Sequence, residues 1–170
     1  MSPLPGRRRP PLPAVEVEQG ERVLAGTTTV DGTVLAGTRD AFYLVRGEST
    51  LRVAWEQVEA ADWDRDTDVF RLSEVGAWGE ERPVHTATLA DPGRLLELVR
   101  ERVTASVVLQ RHVRVEGRRG LRVIARRAPS GAGSLSWVYE YDEGVDPDDP
   151  AVHAAARQAL AAARRDVGMP

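Results

Sequence analysis

Between residues 15 and 89 the chain is a series of short β-rich runs, and only from residue 91 does its apolar spacing change from the strand period to the helix period. Turn signals recur about every ten residues, which fits an antiparallel meander forming a barrel or sandwich. Residues 21–29 make one run, Val30-Asp31-Gly32 a turn, and residues 33–45 a long strand or two strands joined near Arg39-Asp40. Residues 51–62 alternate, with Leu51, Val53, Trp55 and Val58 as inward candidates; residues 68–74 and 83–89 follow, linked through Gly76-Ala77-Trp78-Gly79. Asp91 then reads as an N-cap with Pro92 at the first helical position, and Leu95, Leu96, Val99 and Val103 recur at helical spacing. One amphipathic helix ending near Ala105 is expected to plug the open end of the sheet.

A second pattern begins at residue 107. Val107, Leu109, Val113 and Val115 alternate, a turn rich in Gly and Arg follows at residues 116–120, and Leu121, Val123 and Ala125 mark a return strand, so the segment predicts a hairpin. Leu135, Trp137, Tyr139 and Tyr141 line one face of a third strand. An acidic link leads to a helix over residues 151–167, with Asp149 as cap and Gly168 as stop. Its apolar face, Val152, Ala156, Ala159, Leu160 and Ala163, is thin, so it must pack closely on that second sheet. The fold class is therefore α+β and mainly β, in three parts: a Pro- and Arg-rich disordered tail at 1–14, a first unit at 15–106, and an extension at 107–170.

Several chemistries lack the residues they need. The chain has no cysteine, which removes disulfide frameworks, thiolate metal sites and cysteine nucleophiles. It has no lysine either, which removes Walker-type phosphate loops and Schiff-base catalysis. The carboxylates of residues 62–68 alternate as in a calcium loop, but Thr67 and Ser73 stand where that loop needs glycine and glutamate, so an acidic turn is expected. His85, His112 and His153 lack metal-ligand spacing, and the glycines of residues 131–133 fit neither a nucleophile elbow nor a dinucleotide loop. No catalytic residue, metal or cofactor is expected. No apolar run approaches the roughly 18 residues of a membrane span, and a cytoplasmic protein is expected.

The stretch Thr38-Arg39-Asp40-Ala41-Phe42-Tyr43-Leu44 places a threonine a few residues before an apolar-Tyr-apolar strand, and Val53-Ala54-Trp55-Glu56-Gln57-Val58 follows it. These motifs, with five or more strands closed by one helix, resemble bacterial pleckstrin-homology-like domains of the GRAM type. The run from Leu95 through Val115 to Trp137 is also similar to a protein family of high-GC bacteria. The resemblance implies an antiparallel PH-like barrel or sandwich capped by its C-terminal helix, and a role in recognition. Phosphoinositide-binding members carry bases in the first strand-strand loop, whereas residues 27–32 here have none, and Ala41 stands where a base is frequent. With 10 arginines against 18 acids, residues 15–106 carry a net charge of -8. Membrane lipid is accordingly not an expected partner.

Charge concentrates with the opposite sign in the hairpin. Residues 107–127 hold seven arginines against the single acid Glu116, a net charge of +6. With the valines inward, Gln110, His112 and Arg114 face outward, Arg122 and Arg126 join them from the return strand, and Arg118 and Arg119 lie at the tip. His112, Arg114, Arg118, Arg119, Arg122 and Arg126 are therefore the candidate binding residues. They could grip phosphates or a carboxylate-rich surface, or be neutralised by the chain's own acids. The function expected is a non-catalytic binding or scaffold protein with a protein partner, the alternative being nucleic-acid or other polyanion binding through this hairpin.

Overall fold

The computed structural model describes residues 11–76 and 81–169. The meander predicted over residues 15–89 forms two antiparallel sheets. In the first, β1 (Ala25–Thr28), β2 (Val34–Gly37), β3 (Ala41–Arg46) and β4 (Ser49–Ala54) pair in chain order; in the second, β5 (Val58–Asp64), β6 (Val69–Glu74) and β7 (Val84–Thr88) do the same. Strand pairing does not close the two into a barrel. The alternating run at 51–62, read as one strand, is two strands in different sheets, divided by a 3-10 turn at Trp55–Gln57. Trp55 makes that corner. Its backbone N–H donates to Asp40 O at 3.2 Å and its indole N–H to Thr38 O at 3.1 Å, while the ring is fully buried beside Phe42. Of the predicted Gly76-Ala77-Trp78-Gly79 link only Gly76 is described: residues 77–80 lie outside the described residues.

Helix α1 (Arg94–Ser106) begins later than the Asp91-Pro92 signal implies. Gly93 has φ +52°, a left-handed value that no α-helix continues through, so Pro92 cannot be the first helical residue. Asp91 caps the preceding turn instead, its carboxylate accepting from Gly93 N–H at 2.8 Å. The helix packs against β1, β2, the 3-10 turn and β5, and so touches both sheets. Leu95 and Val99 share a core with Leu35, Trp55, Phe70 and Leu72.

The extension is a third antiparallel sheet. Strands β8 (Val107–Glu116), β9 (Arg119–Arg126) and β10 (Ser136–Tyr141) lie in the order β10-β9-β8, and helix α2 (Pro150–Asp166) covers one face. Val152, Ala156, Ala159 and Ala163 pack on Leu121 and Val123, as the thin apolar face requires. Asp149 accepts from Ala151 N–H at 2.7 Å, and Gly168 ends the helix with φ +72°.

The segment before β1 lies against the outer face of the first sheet, where Val15, Val17 and Val23 meet Ala36, Ala41 and Tyr43. The threonine and tyrosine of the family-like motif are what hold it. Glu21, its side chain only 5% exposed, accepts from the Tyr43 hydroxyl, the Thr38 hydroxyl and the Arg52 guanidinium. Burial pushes the Glu21 carboxyl up, but the bonds from Tyr43, Arg52 and Thr38 outweigh it and hold it below its ordinary value. The stability linked to Glu21 is therefore present above the ordinary glutamate range and is lost as pH falls through the lowered folded value. In a urea series from neutral to acid pH, Glu21→Gln is expected to be less stable at pH 7 and to lose less on acidification. An unchanged acid slope in the variant would contradict this role.

Candidate interaction surface

The hairpin of β8 and β9 is set by register. His112 is opposite Arg122, Arg114 opposite Gly120, and Glu116 opposite Arg119, while Leu109 and Val113 are opposite Ala125 and Leu121. Because side chains alternate across a sheet, the second group faces α2, and His112, Arg114, Glu116 and Arg122 lie on the other face; a register shift between Arg114 and Glu116 leaves Arg119, two residues before Leu121, out of that row. Along β8 the residues 108, 110, 112, 114 and 116 are all exposed and those between are half-buried, which matches the sequence expectation. Arg111 is in the half-buried row and pairs with Asp166 of α2 at 2.5 Å.

The six candidate residues do not share one environment. Arg114, Arg118 and Arg119 are exposed at the tip end of the hairpin, and their side chains make no hydrogen bond or ion pair to other described residues. Arg122 lies 3.6 Å from Glu140 of β10, its opposite residue across the strand pair. His112 meets Asp142 at 2.8 Å. The Asp142 carboxylate also accepts from Gly120 N–H at 2.8 Å, and the His112 and Gly120 bonds hold its pKa below the ordinary aspartate value. Arg122 is thus paired with an acid of β10, and His112 with one of the link that follows it.

Arg126 departs from expectation. It lies on the predicted face, yet it is only 5% exposed, because the start of β5 covers that end of the sheet. Its guanidinium donates to Val58 O at 3.1 Å, Glu59 O at 3.4 Å and Ser106 Oγ at 3.0 Å. Successive strand carbonyls normally point opposite ways; a register shift between Val58 and Ala60 lets two neighbouring ones meet one guanidinium. Burial lowers the Arg126 pKa. This residue joins the extension to the first unit and is withdrawn from the binding surface.

The other sequence candidates have structural partners. His85 pairs with Glu74 at 2.6 Å across β6 and β7. Asp64 closes the acidic turn before β6 by accepting from Asp66 N–H at 2.8 Å. Among the described residues no group of three or more His, Asp or Glu side chains is placed to hold a metal ion. No helix there is long and apolar enough to cross a membrane. Comparison of the chain with protein-family models, curated proteins and solved structures returns no match in any of the three.

Proposed function

We propose that the chain is a non-catalytic cytoplasmic binding protein, a PH-like unit at residues 15–106 whose extension presents Arg114, Arg118 and Arg119 to an acidic surface of a protein partner. Four strands, then three, then one helix touching both sheets support the PH-like reading. The observation that carries the choice of partner is the interleaving of carboxylates with the arginines. Glu116, Glu140 and Asp142 stand among Arg114, Arg122 and His112 on the same face. A phosphate backbone tracking that face would meet these acids and be repelled, whereas a protein surface can set a base against each acid and an acid against each arginine.

The nucleic-acid alternative is separated by an electrophoretic shift assay with duplex DNA and single-stranded RNA over a salt series. No shift is expected at physiological salt. A shift that weakens steeply with salt and disappears when Arg114, Arg118 and Arg119 are changed together to alanine would replace the protein partner with a polyanion.

A further inference from the structure

A second group of arginines gathers on the first unit, away from the hairpin. Leu24 N–H donates to Gly37 O at 2.8 Å, which lays residues 20–24 beside the end of β2. The Thr38 hydroxyl accepts from Asp40 N–H at 3.2 Å and Ala41 N–H at 3.0 Å, fixing a tight turn with Arg39 at its apex. Gly37 has no side chain, and a Cβ there would stand 2.7 Å from Leu98 Cδ2, so α1 approaches β2 closely at this point. Arg102 is one helical turn beyond Leu98 and on the same side of α1. These three constraints put Arg22, Arg39 and Arg102 around one pocket of about 390 Å³.

Their donors are largely unspent. Arg22 makes no hydrogen bond or ion pair to other described residues. The Arg102 Nε–H is buried without a partner, and its nearest carboxylate contact, to Glu101, is 3.6 Å long. Arg39 is 67% exposed and lies 3.5 Å from Asp40. Glu21, the carboxylate lining the pocket, is already taken by Tyr43, Thr38 and Arg52. Arg22 and the Arg102 Nε–H are therefore left without a partner beside this pocket, while Arg39 and Arg102 each keep only a long contact to the acid next to it in sequence, inside a unit whose net charge is negative.

We infer that this pocket binds a phosphate group through Arg22, Arg39 and Arg102. Its volume is within the roughly 300–1,000 Å³ of small-molecule sites. A carboxylate offers two oxygens in one plane; a phosphate offers three or more in a tetrahedron and can meet guanidinium forks arriving from three elements at once. The site is independent of the hairpin, so either can fail alone.

Isothermal titration of the full chain with inorganic pyrophosphate, and sedimentation with phosphatidylcholine vesicles containing phosphatidic acid, test the inference and separate a free phosphate from a lipid headgroup. Saturable binding to at least one probe is expected, about tenfold weaker in Arg22→Ala and in Arg102→Gln and unchanged when Arg114 and Arg118 are changed to alanine. Arg22 is exposed, so its replacement leaves the core intact even where Arg102→Gln perturbs α1. Vesicle binding alone, with the same dependence on the pocket variants, assigns the phosphate to a lipid. Failure of both probes to bind, or binding that is insensitive to Arg22→Ala, overturns the site.

Discussion

Replacing Arg126 with alanine is expected to destabilise the protein by about 3 kcal/mol and to split its unfolding into two transitions. The guanidinium donates to two carbonyls of β5 and to the hydroxyl of Ser106, the last residue of α1, so its loss leaves polar groups of both units unpaired at a buried junction. Each unit has its own apolar cluster, one around Trp55 and Phe70 and the other around Leu121 and Val152. Coupling between them therefore leans on this polar contact and on the direct run of α1 into β8. Arg126→Lys is expected to recover less than half of the loss, since an ammonium group cannot span acceptors on β5 and α1 together. Urea denaturation followed separately by fluorescence and far-ultraviolet circular dichroism measures both effects. One unshifted, coincident transition in Arg126→Ala would show that the junction is held by something else.

Trp55→Ala is expected to cost about 3–5 kcal/mol, the range for removing a buried aromatic side chain. Trp55 is fully buried, packs on Phe42 at 6.4 Å between ring centroids, and binds the β2–β3 turn through its indole N–H. It also sits where the chain leaves the first sheet for the second, so the substitution loosens the corner as well as the core. Trp55→Phe keeps most of the apolar contact but leaves Thr38 O without its donor, and about 1–2 kcal/mol of the loss is expected to remain. A loss below about 1 kcal/mol in Trp55→Ala, by the same denaturation measurement, would contradict this placement of the residue.

Local chemistry made some elements legible in the sequence and left others hidden. Helix α2 is bounded within one residue of expectation, because Asp149 and Gly168 act through their immediate neighbours. Asp91-Pro92 carries the same kind of signal but yields to the positive φ of Gly93, two residues on. Leu51, Val53, Trp55 and Val58 all belong to the core as their alternation implies, yet alternation cannot show that a strand changes sheet; Asp40 and Thr38, which turn Trp55 aside, are distant in sequence. The face of each hairpin residue follows from period two and is right for His112, Arg114 and Arg122. Its environment is not local: Arg126 is covered by carbonyls 67 and 68 residues away, and Arg122 and His112 meet acids from the next strand and link. Arg22, Arg39 and Arg102 had no common signal in the sequence, since three separate elements bring them together.

The central claim, that the hairpin tip recognises an acidic protein surface, is tested most directly by quantitative affinity capture from the host with the wild-type chain and with the Arg114, Arg118 and Arg119 triple alanine variant. The account predicts a protein captured by the wild type, lost in the triple variant and retained by Arg22→Ala, with the triple variant as stable as the wild type. Identical captured proteins in the wild type and the triple variant, or nucleic acid as the only tip-dependent partner, would contradict it.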